Sequence, residues 1–495
     1  MTTRAQHAIK GVAWNYLGRI SEFGLLYVIR AIIARTLGPS NDSIFALFSS
    51  LTAGAVLLTA LGTDWVVYKY LPQLTAQEKP SEAAYLLRKT FFLRLLSSSL
   101  GAIAIYTLLG PLHIEFLSKY SLLFPYLIFI ALYIVGQNMA LFGTATLTAS
   151  LRTKEVFFIN VTTKFLLAAG IAVLVFSSLL TPSTAIIAVT CTACVAGALY
   201  IIRISPKLRT QRTPFRLSPL VSFAAFLLGN DLLSIVLGRQ SDILVLSYWF
   251  PGSPQTSFYD NAFQFGLVVE QGITIGLAGI LFSIFSELAT RDRARLGEAH
   301  RQILGAIQLL FIPVGAFIAF AAPVIIPTIY GGKFLPAIPF VRAFLLLDII
   351  DSGILGGGLN ITLLQTINRE RTTFTNRCVW GAVNLAVNLY LIPRYGALAA
   401  LVTTRICDLG AVSVEHFIVR RETQASFPFR HFIIAALGTG IGLAGIFFLP
   451  GDSFFNCILA GIVFVLLVAG AYYVTKPPAL LWVLQTVRGK LTGTR

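Results

Sequence analysis

The stretch GVAWNYLGRISEFGLLYVIRAIIA, residues Gly11–Ala34, is long enough to cross a bilayer, for which a helix needs roughly 20 apolar residues. Inside it stand Arg19, Glu22 and Arg30. At about 100° per residue all three fall on one helical face, and Asn15 joins that face from one turn earlier. A charge at membrane depth costs from roughly 3 to over 10 kcal/mol and is rarely left facing lipid. The segment must therefore turn a charged stripe toward a protein interior or a water-filled cavity. Arg19 and Glu22 can pair within the helix. Arg30 has no acidic residue within one turn.

Composition extends this reading to the whole chain. Apolar residues make up 56% and charged ones 12%, and the mean hydropathy is +0.78, values of a polytopic membrane protein. Arg19 and Glu22 break the apolar core that a cleavable signal peptide needs, so the segment reads as an uncleaved signal anchor. Cys191 and Cys194 form a CxxC inside an apolar span, and with Cys378, Cys407 and Cys457 they read as small core residues. His7, His113, His300, His416 and His431 lie at tails or span ends, which argues against an intramembrane metal site. There is no phosphate-cradling Gly-rich loop and no catalytic constellation; Gly356–Gly358 sits in an apolar span as a close-packing element or hinge. Neither an enzyme nor an ATPase is expected. No cofactor is expected either, and energy should come from an H+ or Na+ gradient or from downstream consumption of the product.

Hydropathy gives fourteen spans: 11–34, 43–71, 90–110, 121–149, 156–180 and 183–204; then 217–248, 258–285, 302–330, 335–366, 373–393 and 396–419; and finally 432–449 and 453–475. With the N-terminus inside, loops and tails on that side, with Arg377 at the start of the span 373–393 counted among them, carry 25 lysines and arginines against 4 on the other. The bias puts both termini in the cytoplasm and accounts for most of the net charge of +17 without nucleic acid. The two sets of six are repeats. At an offset of 214 Leu71–Thr75, within the exit Tyr70–Ala76, falls on Phe285–Ala289, and at 216 Phe157–Asn160 falls on Thr373–Asn376. Leu37-Gly38-Pro39 and Phe250-Pro251-Gly252 open matching blocks. An even number of spans per repeat makes the halves parallel. The expected organisation is a six-helix lobe at 1–210, a second at 211–425, two added helices at 426–475, and a basic amphipathic tail at 476–495 lying on the inner membrane surface.

The string from Gly11 to Pro72, with Ala34-Arg35-Thr36-Leu37-Gly38-Pro39 and Ile44-Phe45, resembles the opening of the polysaccharide-exporter and O-antigen flippases. These belong to the multidrug/oligosaccharidyl-lipid/polysaccharide exporter superfamily. Asn384–Ala400 is similar to that family's junction of the eleventh and twelfth spans. Asp42-Ser43-Ile44 replaces the family's aromatic-glycine pair. The resemblance implies two six-helix lobes, alternating access and a polyprenyl-diphosphate-linked glycan as substrate, moved across a bacterial inner membrane. Polysaccharide polymerase and glycosyltransferases would be its partners, along with membrane lipids.

A diphosphate linker carries about two negative charges, which arginine suits through its bidentate fork and its inability to lose the proton. Arg19, Arg30 and Arg239 are the expected anion-binding residues, with Lys69, Lys164 and Asn15 beside them. Glu22, Asp64, Asp231, Asp242 and Glu270 are expected to couple an ion or to pair with these cations. Asp231, Arg239 and Asp242, eight and three residues apart, share one broad face of the seventh span. Arg94 and Arg203 are expected to snorkel from span ends to the headgroups. Arg342 is expected opposite Asp348 and Asp351, and Arg405, Asp408 and Glu415 mark one stripe. The rivals are a cation-coupled drug or metabolite exporter, which would favour an acidic cavity, and a non-transporting scaffold for glycan assembly, which has no need of buried arginines. Cysteine labelling is expected to report cytoplasm at Gln211 and Ala425 and the outer side at Ser253 and Asp452. An outward signal at Gln211 removes both the repeat and the span count.

Overall fold

The computed structural model describes residues 3–110, 115–209, 224–225, 227–229, 231–233, 235, 237–274, 281, 285, 288–289, 295–447 and 453–478, with side chains from residue 21 onward except in 115–117, 207–209 and 273–274. Among these residues there is no strand, and nine helices are long and apolar enough to cross a membrane. Two of the nine are double. Helix α1 (Thr3–Ala60) turns sharply at Gly38 (φ 70°, ψ 167°), and a helix written below as α12 does so at Gly396 (φ 66°, ψ −147°). Each has length for two passes at roughly 20 residues per pass. The chain is thus an all-α polytopic membrane protein. The expected amphipathic tail lies, from residue 479, outside the described residues.

The chain divides into two compact units, Met1–Ser257 and Phe258–Arg495. In the first, α1 is followed by α2 (Thr63–Ala76), α3 (Pro80–Leu109), a 3-10 stretch (Glu115–Tyr126), α4 (Leu127–Ala149), α5 (Thr153–Phe176), α6 (Pro182–Arg209) and α7 (Arg239–Trp249). Gly38 lies in the positive-φ region open to glycine, and Pro39 then lacks the N–H a continuous helix would use. Gly252, the glycine of the matching block, has φ 69°. Helices α4 and α6 meet along small residues: a Cβ on Gly143 would lie 2.3 Å from the Tyr200 Cβ, and one on Gly197 would lie 2.6 Å from the Gly136 carbonyl oxygen. An apolar cluster packs around Ile33, Phe48, Ile130, Ile134 and Ala185, all almost inaccessible.

The second unit begins within α8 (Pro254–Thr274) and continues with α9 (Leu296–Tyr330), a 3-10 turn (Gly332–Ala337), α10 (Ile338–Asp348), a π-helical turn (Ile349–Leu355), α11 (Gly357–Thr366), α12 (Glu370–Thr423), α13 (Phe429–Phe447) and α14 (Phe454–Thr475). Helix α9 contains Pro313, Pro323 and Pro327. Each proline orphans the carbonyl four residues before it. The Tyr472 hydroxyl on α14 donates to the Leu309 carbonyl at 2.6 Å, and Arg342 Nε on α10 donates to the Ala319 carbonyl at 3.0 Å. Two proline breaks are thus closed by side chains from other helices.

Three expectations are corrected. The span 335–366 is not one helix: Gly356 (φ 74°) and the π turn divide it, so Asp351 leaves the register assumed for it, while Asp348 ends the regular helix that carries Arg342. The span 217–248 breaks at Gly238, which is extended, and α7 starts afresh at Arg239; the face shared by Asp231, Arg239 and Asp242 therefore does not exist. Of the five cysteines only Cys407 is buried, and Cys191 is exposed. The α4–α6 seam gives a direct test. Gly143→Ala should lower thermal stability by about 1–3 kcal/mol by overpacking against Tyr200. Gly170→Ala, where nothing lies within 4 Å, should leave the melting temperature unchanged or slightly raised.

Candidate functional site

The first polar centre straddles the Gly38 kink. Arg30 donates to both carboxylate oxygens of Asp42, through Nη1 to Oδ1 and through Nη2 to Oδ2 at 2.8 Å. The Ser257 hydroxyl donates to Asp42 Oδ2 at 2.5 Å, and the Phe45 ring centroid lies 5.3 Å from the Arg30 guanidinium. Arg30 and Asp42 are both buried. The acidic partner that Arg30 lacks within one turn stands twelve residues later, brought back by the kink. Arg30 is therefore held in an ion pair rather than presented to a ligand as an unpaired cation, a correction of its expected setting.

The second centre is built on Arg94, which is 0% exposed and so does not snorkel. Its Nε donates to Asn138 Oδ1 at 3.0 Å, and its Nη1 donates to Asp64 Oδ1 and, at 3.3 Å, to Thr63 Oγ1. Asn138 Nδ2 in turn donates to Thr59 Oγ1 at 2.9 Å. Four helical segments contribute: the second arm of α1, then α2, α3 and α4. Asp64, expected to couple an ion or to pair, is paired. Beside it a cavity of about 250 Å³ is lined by Asp64, Trp65, Gln137 and Asp231 among others, and Trp65 Nε1 donates to Asp231 Oδ2 at 3.1 Å.

A third set joins α1, α5 and α6. Asn160 Nδ2 donates to Glu22 Oε2 at 3.0 Å, and Asn160 Oδ1 accepts from the Tyr200 hydroxyl at 2.7 Å. Lys164 lies one turn beyond Asn160. Asn15 and Arg19 fall on α1, but their side chains lie outside the described residues, so an Arg19–Glu22 pair does too. Lys69 is exposed, with Nζ 5.2 Å from the Tyr70 ring centroid. Arg239 opens α7 and Asp242 is buried one turn later. Arg203 is exposed, 3.6 Å from Glu155.

The second unit holds the densest cluster. Arg405 donates to Asp348 Oδ1 at 2.9 Å and to Asp408 Oδ2 at 3.3 Å, with its guanidinium 4.0 Å from the Phe344 ring centroid. On the same helix Arg377 binds Glu415 through two nitrogens at 3.0 and 3.3 Å. Asp351 stands on the π turn between them, and Glu270 on α8. Carboxylates outnumber cations here. Deeper in α12, Asn384, Asn388 and Thr404 bond one another at 3.1–3.2 Å. At one end of the unit His300 Nε2 lies 3.0 Å from Asn360 Oδ1, while Asn360 Nδ2 donates to the Leu355 carbonyl at 2.7 Å; His416 Nδ1 lies 3.0 Å from the same carbonyl. Since the Asn360 amide already donates, its oxygen accepts and His300 carries the proton on Nε2.

The Arg405 cluster was visible in the sequence only as one stripe on a helix. Its Asp348 partner arrives from α10 and the aromatic cover from Phe344. For the first centre, Arg30→Met should lower the folded yield through an unpaired buried carboxylate, an effect of roughly 3–5 kcal/mol, and Asp42→Asn on top should restore it. If the double variant folds no better than the single one, as read by size-exclusion profile and melting temperature, the pair is not what holds the kink.

Known proteins offer three comparisons. An uncharacterized membrane protein of Methanocaldococcus jannaschii is 20% identical over 94% of both chains. The fold is that of the lipid II flippase MurJ in an inward-closed conformation (TM-score 0.70, 16% identity, 94% of this chain and 99% of that one). It is also that of an inward-facing MATE-family multidrug resistance transporter of the MOP superfamily (TM-score 0.65, 16% identity, 83% and 98%). A family model described as "Polysaccharide biosynthesis protein" matches residues 32–339, more than half of the sequence, and the chain belongs to that family.

Proposed function

We propose that the chain flips a polyprenyl-diphosphate-linked oligosaccharide, an O-antigen or exopolysaccharide repeat unit, across the bacterial inner membrane. The observation that carries this reading is membership of a polysaccharide biosynthesis family in a chain with the fold of a lipid-linked-precursor flippase. Two lobes, 1–210 and 211–425, rock to alternate access, with 426–475 as two supporting helices and both termini in the cytoplasm. Arg19, Arg239, Lys69, Lys164 and Asn15 take the diphosphate at successive depths. Arg30, bound to Asp42, serves by holding the kink. Polymerase and glycosyltransferases are the proposed partners, and no nucleic acid is involved. Coupling to H+ or Na+ falls to Glu270 and the carboxylates around Arg405, with Asp231 and Asp242 secondary.

That acidic surplus also favours a second reading, a cation-coupled exporter of a drug or metabolite, because carboxylates attract a cationic cargo. Reconstituted liposomes distinguish the two. With a fluorescent polyprenyl-diphosphate oligosaccharide in the inner leaflet, protein and an imposed ion gradient should together move the label outward, while a lipophilic cation dye should not be pumped. Dye transport without glycan movement selects the second reading. Glycan movement that persists after both the gradient and the membrane potential are collapsed removes the coupling role. Arg239→Ala should abolish movement at normal protein level, and Arg239→Lys should restore it in part, because lysine keeps the charge and loses the fork.

A further inference from the structure

The cavity of about 250 Å³ beside Asp64 belongs to no ion pair or packing role described above. It forms because Gly62 (φ 65°) turns the chain from α1 into α2 and places Asp64 and Trp65 on the first turn of the new helix. Asp64 is fixed from behind: Arg94 binds its Oδ1, and Asn138 holds Arg94. Trp65 is fixed by its indole N–H on Asp231, yet 43% of the residue remains exposed, and its ring leans on Tyr68 at 6.2 Å between centroids. Gln137 and Tyr133 come from α4, and Leu57 supplies apolar floor.

This combination has a chemical meaning. An exposed, rigid aromatic ring offers a flat apolar face. Two carboxylates, each held at one point, offer acceptors at fixed positions, and the Gln137 carboxamide adds a donor and an acceptor. Because Arg94 already neutralises Asp64, the lining is less suited to a strong cation than its two carboxylates suggest. A neutral ligand with one apolar face and a rim of hydroxyls fits all three features. The volume lies just below the ~300–1,000 Å³ of sites for drug-sized molecules, which suits one ring rather than a chain. We propose that this cavity is a saccharide subsite: one pyranose ring stacks on Trp65 while its hydroxyls donate to Asp64 and Asp231 and exchange hydrogen bonds with Gln137. The inference rests on the flippase reading and names the part of the substrate that the first unit recognises.

The test is saturation-transfer NMR on the full-length protein in detergent, with D-glucose, D-galactose and N-acetyl-D-glucosamine as sugar probes and tetramethylammonium as the cation probe. At least one sugar should show transfer. Binding should weaken about tenfold in Asp231→Asn, which leaves Trp65 facing an altered partner. It should be lost in Leu57→Trp, which fills the cavity and keeps every polar group, and weakened about as much as in Asp231→Asn by Trp65→Phe, which retains a ring but loses the N–H that holds Asp231. Melting temperatures identify any variant that fails to fold, and the remaining ones then carry the comparison. Transfer from no sugar, equal transfer in parent, Asp231→Asn and Leu57→Trp, or transfer from tetramethylammonium alone each overturns the subsite. Liposome assays keep the two ideas apart: glycan movement without sugar binding removes the subsite alone, and sugar binding without glycan movement removes the flippase reading alone.

Discussion

A guanidinium or carboxylate in a low-dielectric interior must find its counter-charge, and most of the polar architecture follows from that requirement. Removing water strengthens the attraction between partners but makes an unpartnered charge costly. Arg30 with Asp42 resolves the problem across the Gly38 kink, and Arg94 with Asp64 and Arg405 with Asp348 do so by joining separate helices. The pairs are therefore also fasteners. Arg94 gathers four helical segments around one side chain, and Arg405 ties α10 to α12 while Phe344 covers its face.

The same logic governs the backbone. A helix in lipid must satisfy its amides internally, so breaks survive only where glycine or proline permits them and a neighbour repairs them. Gly38 and Gly396 bend the two longest helices, and the π turn before Gly356 displaces Asp351 from a regular α register. Polar side chains concentrate at these breaks. Asp42 lies one turn after the first, and His416 with Asn360 holds the carbonyl that ends the π turn.

Hydropathy alone was enough for the all-helical membrane class, because a long apolar run has few other destinations. Charge partners were harder to see. Helical periodicity relates residues three or four apart, and Arg30 meets Asp42 only because a glycine folds the chain back between them. Asp42 was nevertheless marked by departing from the pattern of its relatives. Arg94 looked like a span-end cation, since hydropathy registers its position but not the depth of packing around it; Asp64 and Asn138 in adjacent spans were the available clue. Breaks inside apolar spans were the other blind spot. Gly238 and Gly356 look alike in sequence, one polar-flanked and one in a glycine run, and both interrupt helices that periodicity had drawn as continuous.

The repair of α9 has a consequence for how this sequence can drift. Pro313 and Tyr472 satisfy each other across 159 positions: the proline exposes a carbonyl, and the phenol occupies it. Neither residue changes freely. Restoring an N–H at 313 returns the Leu309 carbonyl to its helix and strands a hydroxyl, while a phenylalanine at 472 strands the carbonyl. Compensated double exchanges, alanine with phenylalanine, are the neutral path, so α14 is tied to α9 by a constraint on paired substitution as well as by packing.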